Sequence, residues 1–219
     1  MSKKSPTNKT SFLSPENYIR QNSRNLPIGD CFINPDWETC RMCQVLITRK
    51  HITGYVTACM YLVDLSCLGV KDTIFKFNAP YEEIVEMFNK RSVRPINISY
   101  ELAHNIIFAG LEFAEEYGFK PHKDFTSITS HFLEEDNDDI PLIEIECGMS
   151  GKPCYTNTGF DSPAREREIL AQLERTAGKD NYFFMLPGLS NMYHYDNEDD
   201  YYDDDDDDEI DDLDTASEN

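Results

Sequence analysis

The sequence predicts an α+β fold, in which a mixed, mainly antiparallel sheet packs against three to four helices. Apolar runs with strand-like composition follow one another across short connections at 44–50 and 55–65. Helical spacing of apolar residues is clear at 99–118 and 162–178. Strands and helices do not alternate with crossovers of constant length, and this irregularity argues against a doubly wound parallel sheet.

The first predicted strands form a hairpin. Segments 44–50 and 55–65 are separated by a short connection that contains Gly54. Segment 55–65 is apolar on both alternations, which is typical of a central strand covered on both faces. After Gly69 the chain enters a third predicted strand at 73–77.

Later strands are predicted near the end of the folded part. Apolar runs at 142–147 and 152–156 flank Gly148 and Gly151, and this pattern predicts a second hairpin. Segment 182–186 predicts a last strand.

Capping residues mark the helix starts. Ser14 with Pro15, Asn78 with Pro80, Ser99, and Ser162 with Pro163 are good helix-initiating signals, and Gly118 and Gly178 are good stops. Together with the apolar periodicity, they predict helices over 15–20, 80–90, 99–118, 125–133 and 162–178.

Charge is segregated along the chain. The formal net charge is −21 over 219 residues. Segment 196–219 holds 15 Asp or Glu and no Lys or Arg, whereas segment 1–25 holds five Lys or Arg and one Glu. Such segments do not bury enough apolar area to offset their ordering entropy. The sequence therefore predicts a disordered basic leader at 1–25, a single α+β domain at 26–190 and a disordered acidic tail at 191–219.

Composition and charge argue against several classes of protein. The chain has no apolar run near the roughly 20 residues that cross a bilayer, and its start has no secretory-signal pattern. The seven cysteines are an odd number, and several lie in apolar runs, which favours reduced thiols and a cytoplasmic location. The acidic balance and the lack of a basic, aromatic-rich stripe argue against direct binding to duplex nucleic acid.

Three ordered patterns carry a family resemblance. They are the VDL-x-CLGVKD pattern in 61–72, the AH-x-II pattern in 103–125, which also contains PHKDF, and the LIEIECGMSGKP run at 142–153. Over about 29–186 the chain resembles an uncharacterised family of bacterial proteins. The resemblance implies a shared domain but no particular activity, and it leaves the leader and the tail as additions.

Polar residues that interrupt apolar runs are the candidate catalytic or metal-ligating groups. Carboxylates and imidazoles in one place would suit a divalent metal or a general acid and base. The candidates are Asp64, Asp72, His104, His122 and Asp124, accompanied by Lys71 and Glu144. Structural alternatives stay open for four of the five candidates: Asp64 in an ion pair or at an exposed strand position, His104 as a packed core histidine, and the loop of His122 and Asp124 as a simple connection.

Two further motifs are weaker. Cys40 and Cys43 have the spacing of half a zinc site, but no second pair follows at zinc-finger spacing, so unrelated thiols are favoured. The glycine-rich run 148–153 lacks the P-loop pattern and precedes a predicted strand, so it is interpreted as a turn.

Two function hypotheses follow from the sequence. In the first, the chain is a non-catalytic intracellular binding or adaptor protein whose acidic tail tunes association with a basic macromolecular partner. Tyr201, Tyr202, Ile210 and Leu213 would then be apolar anchors within the tail. In the second, it is a metal-dependent hydrolase, such as a phosphoesterase or nuclease, that uses the five candidate residues. Only the second requires a cofactor, a divalent metal.

Overall fold

The computed structural model describes residues 13–90, 94–157, 159 and 161–185. Its main sheet contains β1 (Ile28–Ile33), β2 (Met42–Lys50), β3 (Val56–Asp64), β4 (Gly69–Ala79) and β5 (Ile96–Ile98). These strands lie in the order β4-β3-β2-β1-β5, and every neighbouring pair is antiparallel. The predicted α+β class is confirmed.

Four helices of eight or more residues pack on the sheet or beside it: α1 (Pro15–Asn22), α3 (Tyr81–Asn89), α4 (Tyr100–Glu116) and α6 (Pro163–Thr176). Two shorter helices, α2 (Trp37–Cys40) and α5 (Lys123–Ser127), lie in connections. None of the helices in the described ranges is both long and apolar enough to cross a membrane.

The predicted first hairpin is present as β2 and β3. These strands pair without interruption from Met42 opposite Asp64 to Lys50 opposite Val56. Gly54 in the connection has φ +84°, a left-handed conformation that glycine adopts without steric cost. Most residues of β3 are buried, as expected for a strand covered on both faces.

The two faces of the sheet carry separate apolar clusters. On the inner face, α4 packs over β2 and β3, and the cluster includes Ala103, Ile106, Ile107, Val45, Tyr61 and Val63. On the outer face, α3 covers one end of the sheet, and its residues Ile84 and Phe88 pack with Leu46, Val56 and Ala58. The rest of the outer face, around Leu62 and Ile74, is only partly covered.

The start of the described chain belongs to the folded domain. Ser14 caps α1 by accepting a hydrogen bond from the backbone N–H of Asn17, and Ile19 is fully buried in the inner cluster. The predicted helix at 15–20 is therefore confirmed. The predicted mobile leader is wrong for residues 13–25, because the buried side chain of Ile19 supplies the apolar contact that the surrounding composition hides. Residues 1–12 and the predicted tail lie outside the described residues.

The predicted second hairpin is wrong. Segment 142–147 forms no strand, because its backbone bonds a side chain instead: Ile143 N–H donates to Asn105 Oδ1, and Asn105 Nδ2 donates to Pro141 O. β6 (Cys154–Thr156) pairs in parallel with β7 (Phe183–Met185) in a separate two-stranded sheet. Only a single antiparallel bridge, between Met149 and Lys152, remains of the predicted turn.

Other boundaries differ from prediction. Asn78 does not cap a helix: it has φ +47° inside β4, which runs on to Ala79, and α3 begins only after Pro80. The predicted helix at 125–133 is split into α5 and a 3₁₀ turn, Thr129–Phe132. β1 and β5 were not predicted, since one contains Gly29 and Asp30 and the other has three residues.

Candidate anion-binding cleft

Asp64, the most sharply predicted site residue, closes a turn. It lies at the end of β3, is 6% exposed, and its Oδ1 accepts the backbone N–H of Ser66 (2.9 Å) and of Cys67 (3.2 Å). Burial raises the pKa of the Asp64 carboxyl, and the positive charge of Lys71 partly opposes that rise. Its contacts identify Asp64 as a turn-forming residue between β3 and β4.

His104 is a packed histidine under an acidic loop. Its ring stacks on Phe108 with a centroid separation of 4.3 Å, and Nε2 lies 3.3 Å from the carbonyl oxygen of Glu134. Asp136 Oδ1 is 3.9 Å from Nδ1. Burial is the main cause that lowers the pKa of His104. The structural alternative, a satisfied core histidine, agrees with these contacts.

Asp72 and Glu144 are exposed and lie in different segments, the former on the edge strand β4 and the latter in the irregular 142–147 stretch. Asp72 Oδ1 accepts the backbone N–H of Thr73 at 2.8 Å.

His122 and Asp124 are the predicted site residues that the fold does bring together. Nδ1 of His122 accepts the backbone N–H of Asp124 at 3.3 Å, and the Asp124 carboxylate lies 4.0 Å from the same nitrogen. The backbone N–H of His122 donates to Val70 O at 2.8 Å. This last bond joins the PHKDF pattern to the GVKD pattern, two of the segments on which the family resemblance depends.

The five predicted residues do not form one metal site. Across 13–90, 94–157, 159 and 161–185, no three His, Cys, Asp or Glu residues are grouped so as to hold a metal ion. Cys40 is exposed, whereas Cys43 is fully buried, and all seven cysteines are free thiols. Burial raises the pKa of Cys43. The ligand set required by the metal-dependent hydrolase hypothesis is therefore not assembled within these ranges.

A small cleft adjoins His122 and is lined mainly by cationic and apolar side chains. Its volume is about 240 Å³. The residues that line it are Leu68, Val70, Lys71, Phe119, Lys120, His122, Asp161 and Arg165. They come from the start of β4, the loop between α4 and α5, and the first turn of α6.

A β-bulge places Lys71 at the cleft. Val70 pairs with Val63 and Asp72 pairs with Leu62, so Lys71 is the extra residue without a partner on β3. Bulges change the direction of a strand and of its side chains. The side chain of Lys71 therefore does not follow the alternation by which successive side chains point to opposite faces of the sheet.

The other side of the cleft depends on contacts between α4 and α6. Gly118, with φ +75°, ends α4, and a Cβ atom there would lie 2.4 Å from Gln172 Nε2. The absence of that atom lets Gln172 donate to Tyr117 O at 2.7 Å. This contact holds α6 against the end of α4, which brings Arg165 to the same cleft as Lys120.

The electrostatics of the cleft favour an anion. Within the described ranges, neither Lys71 nor Lys120 forms an ion pair within 4.0 Å. Arg165 contacts Glu168 at 3.2 Å, but both side chains are more than half exposed, so this pair is weak. Among the described residues that line the cleft, Asp161 is the one carboxylate, and its Oδ2 accepts a hydrogen bond from the Tyr155 hydroxyl at 3.0 Å. The partial positive charge at the start of α6 adds to the effect.

Sequence reasoning selected His122 and Lys71 but missed Lys120 and Arg165. Lys120 lies within one of the ordered patterns, directly before PHKDF, and that position was the available signal for it. Nothing in the local sequence of Arg165 distinguishes it from other surface arginines.

The chain matches no protein-family model, no curated protein and no solved structure. The resemblance to a bacterial family therefore stays a prediction, and function is argued from the geometry of the cleft.

Proposed function

We propose that the domain is a non-catalytic binding protein that holds an anionic group, of the phosphate or carboxylate kind, in the cleft. One observation carries the proposal: Lys71, Lys120, His122 and Arg165 line one small cavity in a chain whose net charge is −21. Cations in an acidic protein are more usually distributed as partners of its many carboxylates. Among the described lining residues, Lys71, Lys120 and Arg165 outnumber the carboxylate Asp161, so the lining itself has an excess of positive charge. Asp124, Glu168 and Asp64 lie just outside the lining, beside His122, Arg165 and Lys71.

The chemistry of the cleft suits a charged head group. Because Nδ1 of His122 accepts a backbone N–H, the neutral ring carries its proton on Nε2 and can donate a hydrogen bond from there. Ammonium and guanidinium groups supply further donors, and charge-assisted bonds of this kind are strong. At about 240 Å³ the cavity is smaller than typical sites for drug-sized ligands of about 300–1,000 Å³. It therefore fits a head group and not a whole cofactor.

The acidic segment supports a second part of the same proposal. Its 15 acidic residues at 196–219 would attract a basic macromolecule through long-range charge, which raises association rates. Tyr201 and Leu213 would add apolar contact. The protein would then recognise ligands of opposite charge with two different segments.

The cleft is tested by a double variant, Lys71→Gln with Arg165→Gln. We expect the wild-type protein to bind inorganic pyrophosphate saturably, with NMR shift changes at the backbone amides of residues 68–71, 119, 120 and 122. The double variant should weaken this binding by at least about tenfold, since each charge-assisted bond contributes about 1.5 kcal/mol or more.

Lys90→Gln with Arg167→Gln is the matched control, because it removes one lysine and one arginine charge from exposed sites outside the cleft. It should bind pyrophosphate as the wild type does. Equal loss in both double variants, or no saturable shifts in the wild type, would contradict the proposal.

The tail is tested separately by deleting residues 196–219. We expect association with poly-lysine to weaken strongly at low salt and the difference to shrink as salt rises, because screening shortens the range of charge interactions. Fluorescence anisotropy at two salt concentrations measures this. Unchanged poly-lysine binding by the shortened chain would remove the tail from the mechanism and leave the cleft proposal intact.

A further inference from the structure

The edge of the main sheet at β4 has an ordered set of backbone groups with no strand beside them. β4 is 11 residues long and is the last strand of the sheet order, paired on one side with β3. No other strand in the described ranges pairs with its second side. Sheet edges without a paired strand are templates for a further strand.

Two hydrogen bonds show which backbone groups of β4 point away from β3. Val70 O accepts the N–H of His122, and the N–H of Thr73 donates to Oδ1 of the Asp72 side chain. In an antiparallel ladder, residues that bond the neighbouring strand alternate with residues that do not. With Thr73 facing outward opposite Tyr61, Phe75 opposite Cys59 also faces outward. The backbone groups of these two residues are therefore directed away from β3. Phe75 is half-buried, whereas Thr73 is only 5% exposed and its N–H is covered by the Asp72 carboxylate, which would have to move aside on pairing.

The outer-face side chains of the same strand have a self-complementary order. Asp72, Ile74 and Lys76 lie opposite Leu62, Met60 and Ala58 of β3, so they share the outer face of the sheet. Asp72 is exposed, and the Lys76 side chain is 47% exposed. Along β4, these three positions therefore carry an acidic, an apolar and a basic side chain, and one residue separates each from the next.

We propose that the chain associates with a second copy of itself by antiparallel pairing of the two β4 strands about a two-fold axis at Ile74. In this register each Asp72 lies opposite Lys76 of the second copy, and the two Ile74 side chains meet. Thr73 lies opposite Phe75 of the second copy, so their outward groups form backbone hydrogen bonds in both directions. A two-fold interface requires self-complementarity of this kind.

Two local features agree with this register. Next to Ile74 is a shallow groove of about 320 Å³ lined by Met60, Leu62 and Ile74 among others, and pairing would extend its apolar floor across the axis. Lys76 forms an ion pair with Glu83 at 2.8 Å, and both side chains are about half exposed. Breaking such an exposed pair costs little free energy. On pairing, the Asp72 carboxylate would leave the N–H of Thr73 and contact Lys76 of the second copy. The freed N–H would then donate to the backbone of that copy.

Charge reversal at the two positions tests the register. Asp72→Lys places like charges opposite each other in the paired strands, and Lys76→Asp does the same with the opposite sign. By sedimentation velocity of the full chain, we expect wild type to form dimers and each single variant to have a dimer dissociation constant raised by about tenfold or more. An equimolar mixture of the two single variants should form mixed dimers. In a mixed dimer, the two lysines of the Asp72→Lys chain lie opposite the two aspartates of the Lys76→Asp chain.

The doubly reversed chain, with Asp72→Lys and Lys76→Asp together, should also dimerise like the wild type. Lys90→Asp, which reverses an exposed charge outside β4, is the control and should not alter the dissociation constant. Thermal melts by circular dichroism check that each variant is folded. Wild type that stays monomeric at high concentration, single variants that dimerise normally, or a mixture that stays monomeric would overturn the proposal.

Discussion

Replacing Arg49 with methionine should lower the free energy of unfolding by about 3–5 kcal/mol, measured by urea denaturation. The methionine fills much of the same volume but leaves the acceptors of the guanidinium without a donor. Buried acceptors that lose their partner incur the full desolvation cost.

The contacts of Arg49 explain so large an effect. Its side chain is 1% exposed, and it donates to Phe132 O (3.0 Å), Leu26 O (2.8 Å) and Glu134 Oε1 (2.6 Å). Its guanidinium also lies 5.4 Å from the centroid of the Phe132 ring. One side chain thus joins β2 to the segment after α1 and to the loop after the 3₁₀ turn.

A second variant separates the geometry of Arg49 from its charge, and a third is a matched control. Arg49→Lys keeps the charge but loses the planar fork that reaches several acceptors, so an intermediate loss of about 1–3 kcal/mol is expected. Arg167→Met makes the same arginine-to-methionine change at an exposed position of α6. It should change the free energy of unfolding by less than about 0.5 kcal/mol. A loss in Arg49→Met no greater than in Arg167→Met would show that the buried guanidinium is not a structural tie.

Replacing Gly110 with valine should destabilise the domain by about 3 kcal/mol or more, because it overpacks a close contact between α4 and the sheet. A Cβ atom at this position would lie 2.5 Å from Val63 Cγ1 and 3.2 Å from Leu65 Cδ2. Val63 is β-branched and fully buried, so its side chain has little freedom to move aside. The helix must therefore shift away from β3.

Ala109→Val is the matched control, since it makes a valine at the neighbouring, half-buried position of the same helix. It should cost about 1 kcal/mol or less, which reflects the lower helix propensity of valine. Thermal unfolding followed by circular dichroism compares the two. Similar melting temperatures for both variants would contradict the close packing of α4 on β3.

Elements with strong local signals were predicted well. The β2–β3 hairpin has two apolar runs joined at Gly54, and α4 has both a capping serine and a long apolar stripe. Even the weakly marked α1 was located by Ser14 and Pro15. What the local pattern missed was the burial of Ile19, because that depends on contacts with residues more than 20 positions away.

Errors arose where a distant side chain replaced the local partner. The alternating pattern at 142–147 suggested a strand, but Asn105 of α4 bonds its backbone on both sides of Leu142. The candidate catalytic set failed for a similar reason. Asp64 is occupied by the turn after β3 and His104 by its packing on Phe108.

By itself, the sequence determined the α+β class, the first hairpin, the main helices and the separation of acidic charge into 196–219, because periodicity, capping and charge are read within a few residues. Only the tertiary structure decided which polar residues meet. Lys71, Lys120 and Arg165 come from three segments, and they share a cleft because a β-bulge turns one and a contact between α4 and α6 brings the others. Such convergence depends on how segments far apart in the sequence pack together, and local sequence patterns do not show this.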